Sequence, residues 1–226
     1  MSNLIYQGKT KDVFANADGT YTLRLKDDAT GKNGVFDPGE NAVGLQIDGF
    51  GRASLQLSKY YFEKLTAAGI AHHYIGSDLT AATMTVRPAA VFGQGVEFIC
   101  RRRAAGSFLR RYGAYASFGT ELDYFVEATL KDDERLDPPI AKEALCLLGI
   151  MREEEYERCA ALTRRITKII EGDLEKRGLA LYDIKFEFGK CGADIVLIDE
   201  ISGGCMRVYR DGDAVQPMDL YASMFA

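Results

Sequence analysis

The sequence predicts an α+β fold built on antiparallel sheet. Three observations carry that reading. Apolar residues alternate with polar ones in several short segments bounded by turn signals, two longer segments repeat at helical spacing, and the order runs strands, helix, strands, helices, strands. At 226 residues the chain is long enough for one substantial core or two smaller lobes. Its 47% apolar and 27% charged content excludes a largely disordered chain.

The first strand signal is "TYTLRLK" (20–26), preceded by "ANADGT", whose Asp18-Gly19 pair marks a hairpin turn. "TGKNGVFDPGEN" (30–41) reads as loop. From 54 to 68 the period changes. Ser58, Tyr61, Phe62, Leu65 and Ala68 fall on one helical stripe, stopped by Gly69, as for a helix packed on a sheet. "TMTVRPAAVFGQGVEFICRRR" (83–103) predicts two strands around a Gly93-Gln94-Gly95 turn, and "SFLRRYGAY" (107–115) a short helix starting at Ser107. "DPPIAKEALCLLGI" (137–150) has the proline-led start of a helix. Residues 152–177 form a longer one, with Tyr156, Cys159, Thr163, Ile166, Ile170 and Leu174 on its inner stripe. "ALYDIKFEFGKCGADIVLIDEISGG" (180–204) predicts a hairpin turning at 189–193, and Asp211-Gly212 marks the last turn.

A net charge of −5 gives no global attraction for nucleic acid or anionic lipid, so affinity for phosphate must come from local clusters. The five cysteines are dispersed and contain no CxxC pair, which suggests neither a disulfide framework nor a zinc site. No segment has the length of a signal peptide's apolar run or a membrane span, so a cytoplasmic protein with reduced thiols is expected.

Three clusters are candidates for chemistry. In "YQGKTKDVF", Lys9 and Lys11 are two apart, so on a strand both ammonium groups would leave the same face, suited to a polyphosphate. A Walker A loop is excluded, because the glycine it needs falls at Asn3. In "EFICRRRAAGSFLRR", Arg101 and Arg103 share a strand face, and Ser107 sits at a helix N-terminus. This predicts a phosphate-monoester site, with a nucleic-acid patch as the competing reading. In the 180–204 hairpin, Ile184, Phe186 and Phe188 point to the core, so Asp183, Lys185 and Glu187 share the other face. The partner run is almost wholly apolar up to Asp199, which suggests that both faces are covered. Covered carboxylates beside a lysine suit Mg²⁺ and a nucleotide. In a plain register Asp199 would oppose Asp183. "KDDERLDPP" (131–139) could present Lys131 and Asp137 to a small polar substrate, while His72-His73 has no hydrolytic spacing around it.

Taken together, "YQGKTKDVF", "LKDDATGKNG", "LTAAGI", "RRRAAGSFLRR", "LKDDERLDPP", "LYDIKFEFG" and "LIDEIS" resemble, in that order, the SAICAR synthetases, also called phosphoribosylaminoimidazole-succinocarboxamide synthases. The resemblance implies two lobes around an ATP cleft, residues 1–92 binding ATP and 93–226 carrying the ribotide, metal and aspartate sites. It implies a ligase of de novo purine biosynthesis that joins L-aspartate to carboxyaminoimidazole ribotide through an acyl phosphate, with ATP and Mg²⁺. Lys9 and Lys11 match the family's nucleotide positions, Glu187 and Asp199 its metal positions, and Arg101, Ser107 and Arg207 the ribotide's phosphate. Lys185 matches its active-site lysine, and Lys131 and Asp137 match residues near the aspartate. The implied partners are small molecules, with no nucleic acid, no membrane, and a homodimer open as the assembly. The sequence departs from the pattern at Ser202-Gly203-Gly204, where the family usually has Ser-Pro-Asp. It lacks the Lys-Gly element in "GFGRAS", and it ends at Ala226, where many members continue into a helix. A ligase acting on another carboxylate or amine, a small-molecule kinase and a non-catalytic nucleotide-binding module remain open.

Overall fold

The computed structural model describes residues 3–225. The chain opens with β1 (Asn3–Gln7), β2 (Lys11–Ala15) and β3 (Tyr21–Leu25), an antiparallel meander. The Asp18 carboxylate closes the β2–β3 turn by accepting from the Thr20 N–H at 3.0 Å. Next come β4 (Asp28–Lys32), β5 (Val35–Phe36) and β6 (Val43–Gln46), a small sheet in a segment that reads as loop. "DATGK" carries almost no apolar alternation, so pairing with β6 rather than pattern makes it a strand. Then follow α1 (Phe50–Ala67), β7 (Tyr74–Asp78), β8 (Thr83–Val86) and β9 (Ala90–Val91). The chain continues through β10 (Val96–Arg103), α2 (Gly106–Tyr112), β11 (Glu121–Leu130), β12 (Pro139–Ile140), α3 (Lys142–Leu147) and α4 (Glu153–Glu175). It ends with β13 (Ala180–Cys191), β14 (Asp194–Ile198), β15 (Met206–Arg210), β16 (Asp213–Ala214) and α5 (Pro217–Phe225).

Two compact units result. The first comprises the chain up to Ala90, Gly189–Gly204, and Gln216 onward; the second comprises Val91–Phe188 and Cys205–Val215. A single boundary near 92 therefore describes only the first of four crossings. The chain returns to the first unit because His73 N–H donates to the Leu197 carbonyl (2.9 Å), Leu197 N–H to the Ala71 carbonyl (3.0 Å), and α5 packs on α1.

In the first unit the sheet order is β1-β2-β3-β8-β7. α1 buries Leu57, Tyr61, Phe62 and Leu65, while Leu23, Leu25, Met84 and Val86 are buried on the strands. The helix starts four residues before the predicted 54, because the Asp27 carboxylate accepts the Gly49 and Gly51 N–H groups (3.2 and 2.8 Å) that a helix N-terminus leaves unpaired.

In the second unit the order is β12-β11-β10-β13-β15-β16. Two strands do flank Gly93–Gly95, the short β9, which pairs with β13, and β10, while β8 belongs to the first sheet. The apolar face of the second sheet carries Phe98, Cys100, Val126, Ala128, Ile184 and Phe186, all buried, as are Cys159, Thr163, Ile166 and Ile170 on the predicted stripe of α4. The helix expected over 137–150 is limited to α3, because Pro139–Ile140 pairs with Thr129 and Ala128 instead. Among the described residues no helix is long and apolar enough to cross a membrane.

Candidate active site

The charged face predicted for residues 183–187 exists, and it is wider than one strand. β10 runs antiparallel to β13 with Glu97 opposite Glu187, Ile99 opposite Lys185 and Arg101 opposite Asp183, and β11 sets Thr129 opposite Glu97 and Glu127 opposite Ile99. Side chains alternate across a strand, so these residues share one face of the sheet while the phenylalanines occupy the other. The expected register is corrected here. Asp183 lies opposite Arg101 on one side and Arg207 on the other, not opposite Asp199, because β15 takes the place beside β13 over residues 180–184.

Arg101, Ser107 and Arg207 do come together. Arg101 is 1% exposed. Its Nη1 donates to Asp183 Oδ2 (2.9 Å), its Nε to Glu127 Oε1 (2.7 Å) and its Nη2 to Ser107 Oγ (2.8 Å). Arg207 Nη1 donates to both Asp183 oxygens (3.1 and 2.9 Å), and Arg111 Nη2 donates to Glu127 Oε1 (2.6 Å). Three guanidinium groups thus meet the carboxylates of Asp183 and Glu127. Arg111 Nε is buried with no hydrogen-bond partner, so the cluster is short of an acceptor. A phosphate monoester has the charge and the oxygens to complete it.

Gly106 makes this arrangement possible. Its φ of +53° is left-handed, and a Cβ there would lie 2.5 Å from Arg207 Cζ. Gly106→Ala should therefore displace Arg207, costing about 1–2 kcal/mol in backbone strain. We expect the KM for a phosphate-bearing substrate to rise roughly tenfold with kcat changed much less, as read from steady-state kinetics. An unchanged KM would remove Arg207 from the phosphate site.

Two strand residues along the same face, about 7 Å away, lies a second cluster. Lys185 Nζ donates to Glu97 Oε1 (2.8 Å), and Lys131 Nζ to Glu187 Oε1 (2.6 Å). Burial opposes the charge on Lys185, but the Glu97 carboxylate and, beyond it, Glu187 outweigh burial and raise its pKa. Asp137 follows Leu136 in a left-handed pair (φ +47° and +59°), and its Oδ1 accepts the Asp132 N–H at 2.8 Å. Burial, and then the Glu97 charge, raise the Asp137 pKa while Lys185 pulls it down, so Asp137 belongs electrostatically with this group.

The first unit holds the other predicted residues. Lys11 opens β2, and its ammonium bridges the carboxylates of Asp199 and Glu200. Lys9 is not on the same strand face, as expected, but in the turn before β2, where it donates to the Asn41 carbonyl; the Gly8 N–H to Lys11 carbonyl bond (2.9 Å) closes that turn. Asp199 follows β14 with φ +68°, a left-handed backbone on a residue with a Cβ. Burial and the Asp199 charge push the Glu200 carboxyl up to about 7, against the pull of Lys11.

Whether these carboxylates suit Mg²⁺ can be judged from Lys11, which already stands on both as a cation. Mg²⁺ uses one or two carboxylates together with nucleotide phosphates, and the donor set fits that pattern. Among the described residues no three His, Cys, Asp or Glu side chains form a ready cage, so the remaining ligands must come from the nucleotide and water. The glycines after Glu200 have a packing origin. A Cβ on Gly203 would lie 2.9 Å from Pro217 Cβ, so the short turn there admits α5 only without a side chain.

Antiparallel sheets flanked by helices, with buried cations clasped by carboxylates, define an α+β enzyme with anion-binding clusters. The chain belongs to the SAICAR synthetase family, whose model matches residues 4–219. It is 57% identical over 220 residues to a phosphoribosylaminoimidazole-succinocarboxamide synthase of Clostridium tetani, covering 96% of this chain and 97% of that relative. The enzyme of the same name from Streptococcus sanguinis is 37% identical over 213 residues, covering 92% and 86%. A solved structure described as SAICAR synthetase (Type-2) in complex with ADP superposes with a TM-score of 0.85 at 28% identity, covering 97% of each chain.

Proposed function

We propose that the protein is the ATP-dependent ligase that condenses L-aspartate with the carboxylate of carboxyaminoimidazole ribotide, giving SAICAR, ADP and phosphate in de novo purine biosynthesis. Family membership over residues 4–219 and the likeness to an ADP-bound relative support this reading. The observation in the fold that carries it is the shared face of β10, β11 and β13. There a guanidinium cluster for a phosphate stands about 7 Å from a lysine–carboxylate cluster, as a substrate with a phosphate at one end and a reacting carboxylate at the other requires.

Arg207, Ser107 and Arg101 are assigned to the ribotide's phosphate. Lys185, kept charged by Glu97, is assigned to the reacting carboxylate, where it offsets charge as the γ-phosphoryl group arrives. ATP loses that group to the carboxylate oxygen, forming an acyl phosphate and ADP. The aspartate amine then attacks the acyl carbon, and phosphate leaves. Lys131 and Asp137 are assigned to the aspartate, Lys131 to its carboxylates and Asp137 to its amine. Lys9 and Lys11 are assigned to the nucleotide phosphates. Asp199 and Glu200 would hold Mg²⁺, with Glu187 as the other carboxylate assigned to metal; the ion supplies neutralisation of the phosphates during transfer. The reaction is placed in the cytoplasm, with the homodimer as the assembly to test by sedimentation.

The deciding assay supplies the ribotide, ATP and Mg²⁺ with and without aspartate, and follows ADP and the succinocarboxamide. The proposal expects both products only when aspartate is present. ADP formed equally without aspartate would make the protein a kinase, and retained nucleotide binding without turnover would make it a binding module. Turnover only with another amine would make it a ligase of altered specificity.

A further inference from the structure

We infer that His73 is a positioning residue for the metal-binding carboxylates, holding the left-handed turn at Asp199 through its ring nitrogen. The inference rests on the assignment of Asp199 to Mg²⁺.

His73 is 4% exposed, and its Nε2 lies 2.9 Å from the Asp199 carbonyl oxygen. A carbonyl only accepts, so this contact requires the proton on Nε2.

The backbone around the ring leaves it little freedom. His73 N–H donates to Leu197, Arg87 N–H donates to the His73 carbonyl (2.8 Å), and His72 forms a parallel bridge with Leu197. Two residues beyond Asp199, Ser58 Oγ accepts the Ile201 N–H at 3.2 Å, while its one proton is shared between the Ser54 carbonyl (2.8 Å) and the Ile201 carbonyl (3.1 Å). The turn is thus tied at Asp199 by His73 and at Ile201 by Ser58. Between the two ties the left-handed backbone at Asp199 lets adjacent residues present both carboxylates to Lys11. On a regular strand, neighbours 199 and 200 would point to opposite faces. A left-handed backbone on a residue with a Cβ costs on the order of 1–2 kcal/mol and persists only where its surroundings hold it.

The first test needs no variant. ¹⁵N NMR of the labelled wild-type protein should report a proton on His73 Nε2; a ring protonated only at Nδ1 would overturn the inference. The second compares His73→Leu, His73→Gln and Asp199→Asn for ADP binding by calorimetry across a Mg²⁺ titration, with thermal unfolding measured alongside. His73→Leu should raise the Mg²⁺ concentration for half-maximal ADP binding roughly tenfold or more, as loss of a residue supporting a metal ligand typically does. His73→Gln, whose amide N–H can still donate, should recover most of that shift even where both variants lose similar thermal stability. If Asp199→Asn moves the Mg²⁺ midpoint and folded His73→Leu does not, His73 has no positioning role. If Asp199→Asn leaves the midpoint unmoved, the metal assignment itself fails.

Discussion

Asp199→Ala is expected to lower kcat by roughly 10²- to 10³-fold, the loss typical of removing a group that stabilises charge developing in the transition state. The KM for the ribotide should change little, since its phosphate is assigned to arginines on another sheet. The expectation follows from the position of Asp199, whose carboxylate is held with that of Glu200 on the Lys11 ammonium. In the variant Lys11 keeps one partner, so folding should survive and the defect should lie in the chemical step. Single-turnover ADP formation at saturating Mg²⁺ is the direct measurement. Near-normal turnover there would sink the metal assignment.

Arg101→Ala should have the largest effect on stability. Arg101, at 1% exposure, shares Asp183 with Arg207 and Glu127 with Arg111. Asp183 keeps Arg207 and Glu127 keeps Arg111 in the variant, so the cost comes from deleting a large buried side chain with its three hydrogen bonds, roughly 3 kcal/mol. In a chain of this size each kcal/mol moves Tm by roughly 2–4 °C, so a fall on the order of 10 °C is expected in thermal unfolding. Ribotide affinity should fall with it, because Ser107 and Asp183 lose their common partner. From the sequence alone Arg101 would simply bind phosphate, and its alanine variant would raise KM and little else. A Tm within about 2 °C of wild type together with a raised KM would restore that simpler role.

How much of this was legible in the chain depends on how local each feature is. The charged face of β13 was readable because "DIKFEF" alternates with period two, and the long stripe from Tyr156 to Leu174 because its spacing is helical. Glu97 and Glu127 were not, because their meeting with Lys185 and Arg101 is set by the registers of β10 against β11 and β13. Glu200 carries no signal of its own in the sequence. Its role depends on the left-handed backbone of Asp199, which no apolar pattern records in a residue other than glycine. His73 had no motif around it, and its significance comes from its bonds to Leu197 and Asp199, more than a hundred residues along the chain. Gly203 was legible as a departure from the family pattern, but its reason, the approach of Pro217, was not.

The four crossings between units set the order in which the molecule can be completed on the ribosome. The first unit begins at the N-terminus, yet it needs β14 and α5, made after the whole of Val91–Phe188. At about 5–20 residues per second, the stretch from Ala90 to Gly189 takes roughly 5–20 s to emerge. Throughout that time His73 and Ser58 have no partner strand to hold, and the surface of α1 that receives α5 is open to solvent and chaperones. The acidic turn that would receive Mg²⁺ is therefore finished only when synthesis is nearly over. A chain that has not reached Glu200 lacks the paired carboxylates assigned to Mg²⁺.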